Sequence, residues 1–250
     1  IPSVPYYGMA DNGIGYIRLT NFTNNCNKEV EAALKDLRKL NAKGIILDLR
    51  GNPGGLLNEA VKIVNLFVDR NQLVVYTKGQ IKEFDQQYKT QSRPVDTTIP
   101  LAVLVDRVSA SASEIVAGAL QDMDRAVIVG ERTFGKGLVQ ATRPLPYNNQ
   151  LKITTAKYYI PSGRCIQAVD YTQRNEDGSI GFIPDSLISE FTTRNGRKVY
   201  DGGGITPDIP LTPTMFSRIA VVLYSNNFFF DYATRFRIAN SSIKPPGQFS

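Results

Sequence analysis

The sequence predicts an α/β domain that carries its functional loops at strand ends. Three observations lead there. An apolar run, Gly44-Ile-Ile-Leu-Asp-Leu49, leads into a glycine-rich corner, Arg50-Gly-Asn-Pro-Gly-Gly55, and then into a helical pattern over about Leu57 to Phe67. The same order of buried strand, small-residue corner and helix recurs over Leu101–Leu120. Ahead of both, Lys28 to Leu40 places Val30, Ala33, Leu34, Leu37 and Leu40 on one face, as an amphipathic helix does.

Taken in order, residues 1–12 read as a linker. Gly15–Leu19 alternates as a strand and a polar turn follows it. Leu73–Thr77 and Ile81–Tyr88 read as a hairpin between the two glycine- or serine-rich corners, with a polar loop running on to Thr98. Val127–Val129 is a short buried strand, and Leu151–Ile160 has period-two character up to a Pro161-Ser-Gly163 turn. A core over 13–170 is followed by a polar, glycine-rich stretch at 171–203, read as a surface insertion, a loop or a hairpin. Over 204–250 a late edge strand at Gly204–Pro210 and an apolar helix from Thr214 to Phe230 are expected to pack on the core.

Composition removes several classes of function. The 250 residues are 42% hydrophobic, enough for one large domain. The net charge of +6 is dispersed, without basic runs or aromatic–basic interleaving, so nucleic-acid binding is not indicated. No apolar stretch has the length of a membrane span, and no secretory leader pattern occurs. Two cysteines, Cys26 and Cys165, define neither a disulfide framework nor a metal site.

Ser109-Ala-Ser-Ala-Ser113 sits where a strand passes into a helix. A hydroxyl there lies beside unpaired helix N–H groups, which favour developing negative charge. The chain contains no histidine, so neither a Ser-His-Asp triad nor a His-ligated zinc site can be built. Lysine is the remaining base, provided desolvation draws its pKa down from about 10.4 toward neutrality. Lys136 has Phe134, Gly135, Gly137, Leu138 and Val139 around it, whereas most other lysines have charged or polar neighbours. From the residues alone, Ser109, Ser111 and Ser113 are rivals, and any of them could simply cap the helix. Lys136 could equally be an ordinary exposed turn lysine. The glycine-rich corners fit neither a P-loop nor a complete dinucleotide fingerprint.

Four segments occur in order: Asp48–Gly55 (DLRGNPGG), Ser109–Asp122 (SASASEIVAGALQD), Gly130–Gln140 (GERTFGKGLVQ) and Thr155–Arg164 (TAKYYIPSGR). Together they resemble the peptidase domain of the C-terminal processing peptidases, or tail-specific proteases, which use a Ser-Lys dyad. The resemblance runs over roughly 12–170, with a weaker match at Gly204–Asp208. It implies a ClpP/crotonase-like spiral core of β-β-α units. It also implies that Ser111 is the nucleophile, Lys136 (25 positions downstream) the base, and Gln140 the residue that orients the amine. The oxyanion donors would be the backbone N–H groups of Gly55 and Ala112. Asp122 matches a supporting acidic position, although a salt-bridge or capping role is the simpler reading.

The resemblance further implies a cofactor-free, metal-free endopeptidase acting on unfolded or C-terminal-tail protein substrates. Its location would be periplasmic or otherwise extracytoplasmic, with homo-oligomerisation left open. In the family the Leu151–Ile160 strand lies beside the cleft, where an exposed edge could pair with an extended peptide; an interior strand is the alternative. Typical members carry a PDZ domain ahead of the core. There is no room for one before Gly15, so this chain is expected either to start after it or to come from a lineage without one. Two competing functions are a non-catalytic peptide- or lipophile-binding module on the same fold and, on fold analogy alone, a crotonase-type acyl-CoA enzyme.

Overall fold

The computed structural model describes residues 2–174, 177–178, 180–212, 216–240 and 242–244. The chain forms two compact units, Ile1–Leu211 and Thr212–Ser250.

The first unit opens with Tyr6–Ala10 (β1), antiparallel to Ile14–Arg18 (β2). Residues 6–10 are therefore not a linker but the outer strand of a sheet. The overlooked signal is Asp11-Asn12-Gly13, a tight connection in which Asn12 takes φ 60°. Helix α1 (Cys26–Lys39) buries Cys26, Val30, Ala33, Leu34 and Leu37, one apolar stripe at helical spacing. Next come Gly44–Asp48 (β3), helix α2 (Leu57–Val64), Leu73–Gly79 (β4) and Gln86–Lys89 (β5). Leu101–Val105 (β6), helix α3 (Ala112–Asp122) and Val127–Gly130 (β7) complete the central layer.

The principal sheet has the order β1-β2-β3-β6-β7 and ends in a short strand, Ile209–Pro210 (β14). From β2 to β14 every pairing is parallel. Parallel neighbours need crossovers, and α1 and α3 supply two of them; α2, which packs against α3, lies in the longer connection from β3 to β6. All of α3 is buried, which explains why its sequence is apolar or small nearly all round.

A second sheet carries Leu138–Pro144 (β8) and Gln150–Tyr159 (β9), in the antiparallel order β5-β4-β9-β8. The Leu151–Ile160 segment is consequently an interior strand, and the free edge belongs to β8. The reason is local: β8 and β9 form a hairpin, so β8 occupies the edge that β9 would have exposed.

Of the two forms expected for the polar stretch after residue 170, loop or hairpin, the chain takes the hairpin. Val169–Arg174 (β10) pairs with Ile180–Phe182 (β11), and Glu190–Thr192 (β12) pairs with Lys198–Tyr200 (β13). Arg197 bridges Asp124 (2.6 Å) and Asp208 (2.5 Å), tying the second hairpin to the end of α3 and to the β14 approach.

The second unit contains helices α4 (Arg218–Ser225) and α5 (Phe228–Ala239). The continuous helix expected to Phe230 breaks at Asn226–Asn227, where Asn227 adopts φ 60°, the left-handed conformation asparagine tolerates best among non-glycine residues. The expected start, Thr214–Met215, lies outside the described residues.

Candidate active site

Two corners meet at the end of the principal sheet. At the first, Arg50 grips Asp48 through two parallel hydrogen bonds (Nε to Oδ1 2.9 Å, Nη2 to Oδ2 2.7 Å), and the Tyr16 hydroxyl donates to the same carboxylate at 2.6 Å. Burial opposes ionisation of Asp48, but these donors outweigh it and hold its carboxyl below the usual range. Asn52 donates to the Leu19 carbonyl (2.8 Å) and accepts from the Gly54 N–H (2.9 Å). The Asn52 carbonyl in turn accepts from Ala110 N–H (3.1 Å) and Ser113 Oγ (3.0 Å) on the second corner.

That stitching separates the three serines. Ser109 Oγ donates to the Leu49 carbonyl (2.8 Å) and Ser113 Oγ to the Asn52 carbonyl, and both residues are fully buried. Ser111 alone of the three lines an open cleft of about 330 Å³. It sits at φ 57°, ψ −113°, outside the regions L-residues favour, a cost of about 1–3 kcal/mol that the packed surroundings must sustain. Gly54 lets the first corner press against this turn: a Cβ there would lie 2.5 Å from the Ala110 carbonyl oxygen.

The cleft is also lined by Gly55, Ala112, Lys136 and Gln140, so five of the six expected site residues converge. The N–H groups of Gly55 and Ala112 form no hydrogen bond among the described residues, which leaves both available to a ligand oxygen. Lys136 is half-buried and unpaired by any carboxylate among the described residues. No hydrogen bond joins it to the Ser111 hydroxyl or to Gln140, although the three share the cleft. Gln140 is exposed beside a bulge at Val139/Gln140 in the β8–β9 pairing, which re-aims the strand at the cleft. Leu56, Leu57, Ile115, Leu138 and Val139 give the cleft an apolar lining, with Lys152 as a further cation.

Asp122 does not join them. It lies at the opposite end of α3, roughly 16 Å along the axis from Ser111. There it pairs with Arg164 at 2.8 Å and accepts from the Ser162 N–H at 2.9 Å, with both charged side chains almost fully buried. The salt-bridge reading is the one its geometry fits.

Sequence reasoning missed two residues. Glu114, fully buried, accepts from Ser111 N–H (2.8 Å), Thr133 Oγ1 (2.6 Å), Gly135 N–H (2.7 Å) and Lys136 N–H (2.9 Å). One carboxylate thus ties the backbone of the candidate nucleophile to that of the candidate base. Burial pushes its pKa up to about 7, against those four donors. The signal was available: Ser111 and Glu114 have the S-x-x-E spacing of a capping box. Tyr158, also buried, donates its hydroxyl to the Lys136 carbonyl and lies 3.4 Å from the Ser111 carbonyl. No spacing rule pointed to it. Among the described residues, no cluster of His, Cys, Asp or Glu could hold a metal ion.

The comparisons with known proteins agree with this architecture. The model of peptidase family S41 matches residues 13–185, and the chain belongs to that family. It is 42% identical over 184 residues to the carboxy-terminal-processing protease of Bartonella bacilliformis, covering 72% of this chain and 40% of that protein. Against the carboxyl-terminal-processing protease of Picosynechococcus sp. it is 40% identical over 190 residues, covering 74% and 42%. The chain therefore spans about two fifths of the length of these relatives. Among solved structures, a photosystem II D1 C-terminal processing protease superposes with a TM-score of 0.61 at 30% identity, covering 86% of this chain and 47% of that one. A putative S41 protease from Bacteroides fragilis shares the fold, with a TM-score of 0.56 at 20% identity over 73% of this chain and 49% of that one.

Proposed function

We propose that this chain is the catalytic part of a serine endopeptidase that cleaves protein substrates near their C-termini. Its relatives' names support the reaction and the substrate class. The observation that carries the residue assignment is the different state of the three serines. Two hydroxyls are locked onto backbone carbonyls, while the third faces a cleft shared with a half-buried lysine and two vacant N–H groups.

In this reading unprotonated Lys136 takes the proton from Ser111 as its oxygen attacks the scissile carbonyl. The carbonyl oxygen gains charge against the N–H groups of Gly55 and Ala112, at the positive end of α3. Protonated Lys136 then gives that proton to the leaving amine as the C–N bond breaks, and water releases the acyl group from Ser111 along the same path in reverse. Gln140 orients the Lys136 amine once a substrate narrows the cleft. An extended substrate lies along the free edge of β8, where unpaired backbone groups serve any sequence and the apolar lining favours apolar side chains. The residues need no metal or cofactor for these steps. By the same family argument the chain works in the periplasm or another extracytoplasmic compartment. No helix among the described residues is long and apolar enough to cross a membrane.

The test is digestion of an unfolded protein with an apolar C-terminus by this chain and by its Ser111→Ala and Lys136→Ala forms. Each substitution should lower turnover by about 10⁴-fold or more with the fold intact. Undiminished proteolysis in both variants refutes the assignment. A serine-reactive phosphonate should label Ser111; a folded chain that resists it favours a binding module.

A further inference from the structure

A larger cleft, about 740 Å³, lies away from Ser111. It falls within the size range of built ligand sites, roughly 300–1,000 Å³. Its walls are the start of α1, one side of α2 running on through Leu66, and the strand β5 with the loop that follows. Three features bear on what it could hold.

The first is a free strand. β5 terminates the second sheet and pairs only with β4, so one side of its backbone is unsatisfied among the described residues. The second is rigidity. Asn65, just past α2, accepts from Gln91 N–H (3.0 Å) and Ser92 N–H (2.7 Å) and donates to the Ser92 carbonyl (2.9 Å), pinning the chain where it leaves β5. The third is charge. Lys28, Lys62, Lys89 and Arg93 line the cleft against a single carboxylate, Glu31. Glu31 is already paired with Lys35 and Lys62 with Glu59, while Lys28, Lys89 and Arg93 have no ion-pair partner among the described residues.

We propose that this cleft binds an extended acidic peptide segment, which adds as a strand to the free edge of β5. A strand edge presents alternating N–H and C=O groups at about 3.3 Å per residue, a spacing that a peptide backbone matches and a compact anion does not. The unpaired cations then select acidic side chains. The site does not involve Ser111 or Lys136, so it stands or falls independently of the proteolytic reading. It gives the protein a second place to hold a chain, at the opposite edge of the sheet that borders the candidate active site.

The experiment uses the whole chain carrying Ser111→Ala, so that no probe is cleaved, and a fluorescent ten-residue peptide of alternating Glu and Val. Anisotropy should show saturable binding that weakens with added salt. Lys89→Glu with Arg93→Glu should weaken it by about tenfold or more, and Lys28→Glu should do so independently. The same peptide N-methylated at alternate residues should fail to bind, because the edge would lose its partners. Circular dichroism establishes that each variant is folded. The proposal is overturned by any of three results: no binding at about 1 mM, equal binding to the charge-reversed chains, or equal binding of a Lys-Val peptide. Preference for a short oligonucleotide over the peptide overturns it as well.

Discussion

Helix α3 carries a buried carboxylate at each end, satisfied in opposite ways. Glu114, on its first turn, is held by four neutral donors and no cation. Asp122, on its last turn, faces the buried guanidinium of Arg164. Burial raises the Asp122 pKa and lowers that of Arg164, so desolvation outweighs their attraction on both sides. The pair is thus a poor source of net stability but a strict constraint, fixing the turn after β9 to the helix. The neutral cradle of Glu114 does something different. It joins the Ser111 and Lys136 backbones without placing a cation–carboxylate pair beside the lysine proposed as the base. One end of the helix holds through an ion pair, the other through neutral donors alone.

The largest effect that sharpens this contrast is expected at the ion pair. Arg164→Ala strands Asp122 as an unpaired buried carboxylate and should lower stability by about 3–5 kcal/mol. Urea unfolding reads this as a drop in midpoint at unchanged slope. Replacing the pair together, Arg164→Met with Asp122→Leu, should recover most of it. If the single change is silent, the two ends do not differ as argued.

The second effect is pH-linked. The Glu114 pKa rises from 4.5 to about 7 on folding, so between these values the native state binds more protons than the unfolded chain. Its contribution is fully present below pH 4.5, falls as pH rises through 7, and is flat above. The difference in unfolding free energy between the parent and Glu114→Gln should shift by about 3 kcal/mol across that window. Parallel curves would break the assignment of a titrating carboxylate to this end. Asp122, raised in the same sense, is common to both proteins and cancels in the difference.

The smallest of the three is catalytic. Glu114→Gln keeps one acceptor oxygen and loses the other, releasing part of the link between Ser111 and Lys136. Small misplacements of this kind cost up to about a hundredfold, so kcat should fall by roughly 10–100-fold with KM little changed. Unaltered kcat would reduce Glu114 to a helix cap.

Much of the central layer was legible because its signals are local. The stripe of α1, the apolar runs of β3 and β6 and the glycine-rich corners each follow from spacing within one segment. β1 escaped because five residues of mixed polarity signal a strand only through the Asp11-Asn12-Gly13 turn beside them. β8 escaped because Leu138–Pro144 lacks a continuous apolar face; its strand form comes from pairing with β9. The insertion left loop and hairpin both open for the same reason, since Arg197 is merely polar until Asp124 and Asp208 lie next to it.

By itself the sequence determined which chemistry was open: no histidine, one serine-rich corner opening a helix, and one lysine among small and apolar neighbours. It did not decide among Ser109, Ser111 and Ser113 without a family likeness, because a hydroxyl's role depends on which carbonyl reaches it from elsewhere in the chain. Folding brought Leu49 and Asn52 to two of them and left the third facing the cleft. Composition and periodicity are properties of one stretch of chain, whereas burial, a shifted pKa or a free sheet edge belongs to segments that meet only after the core has closed.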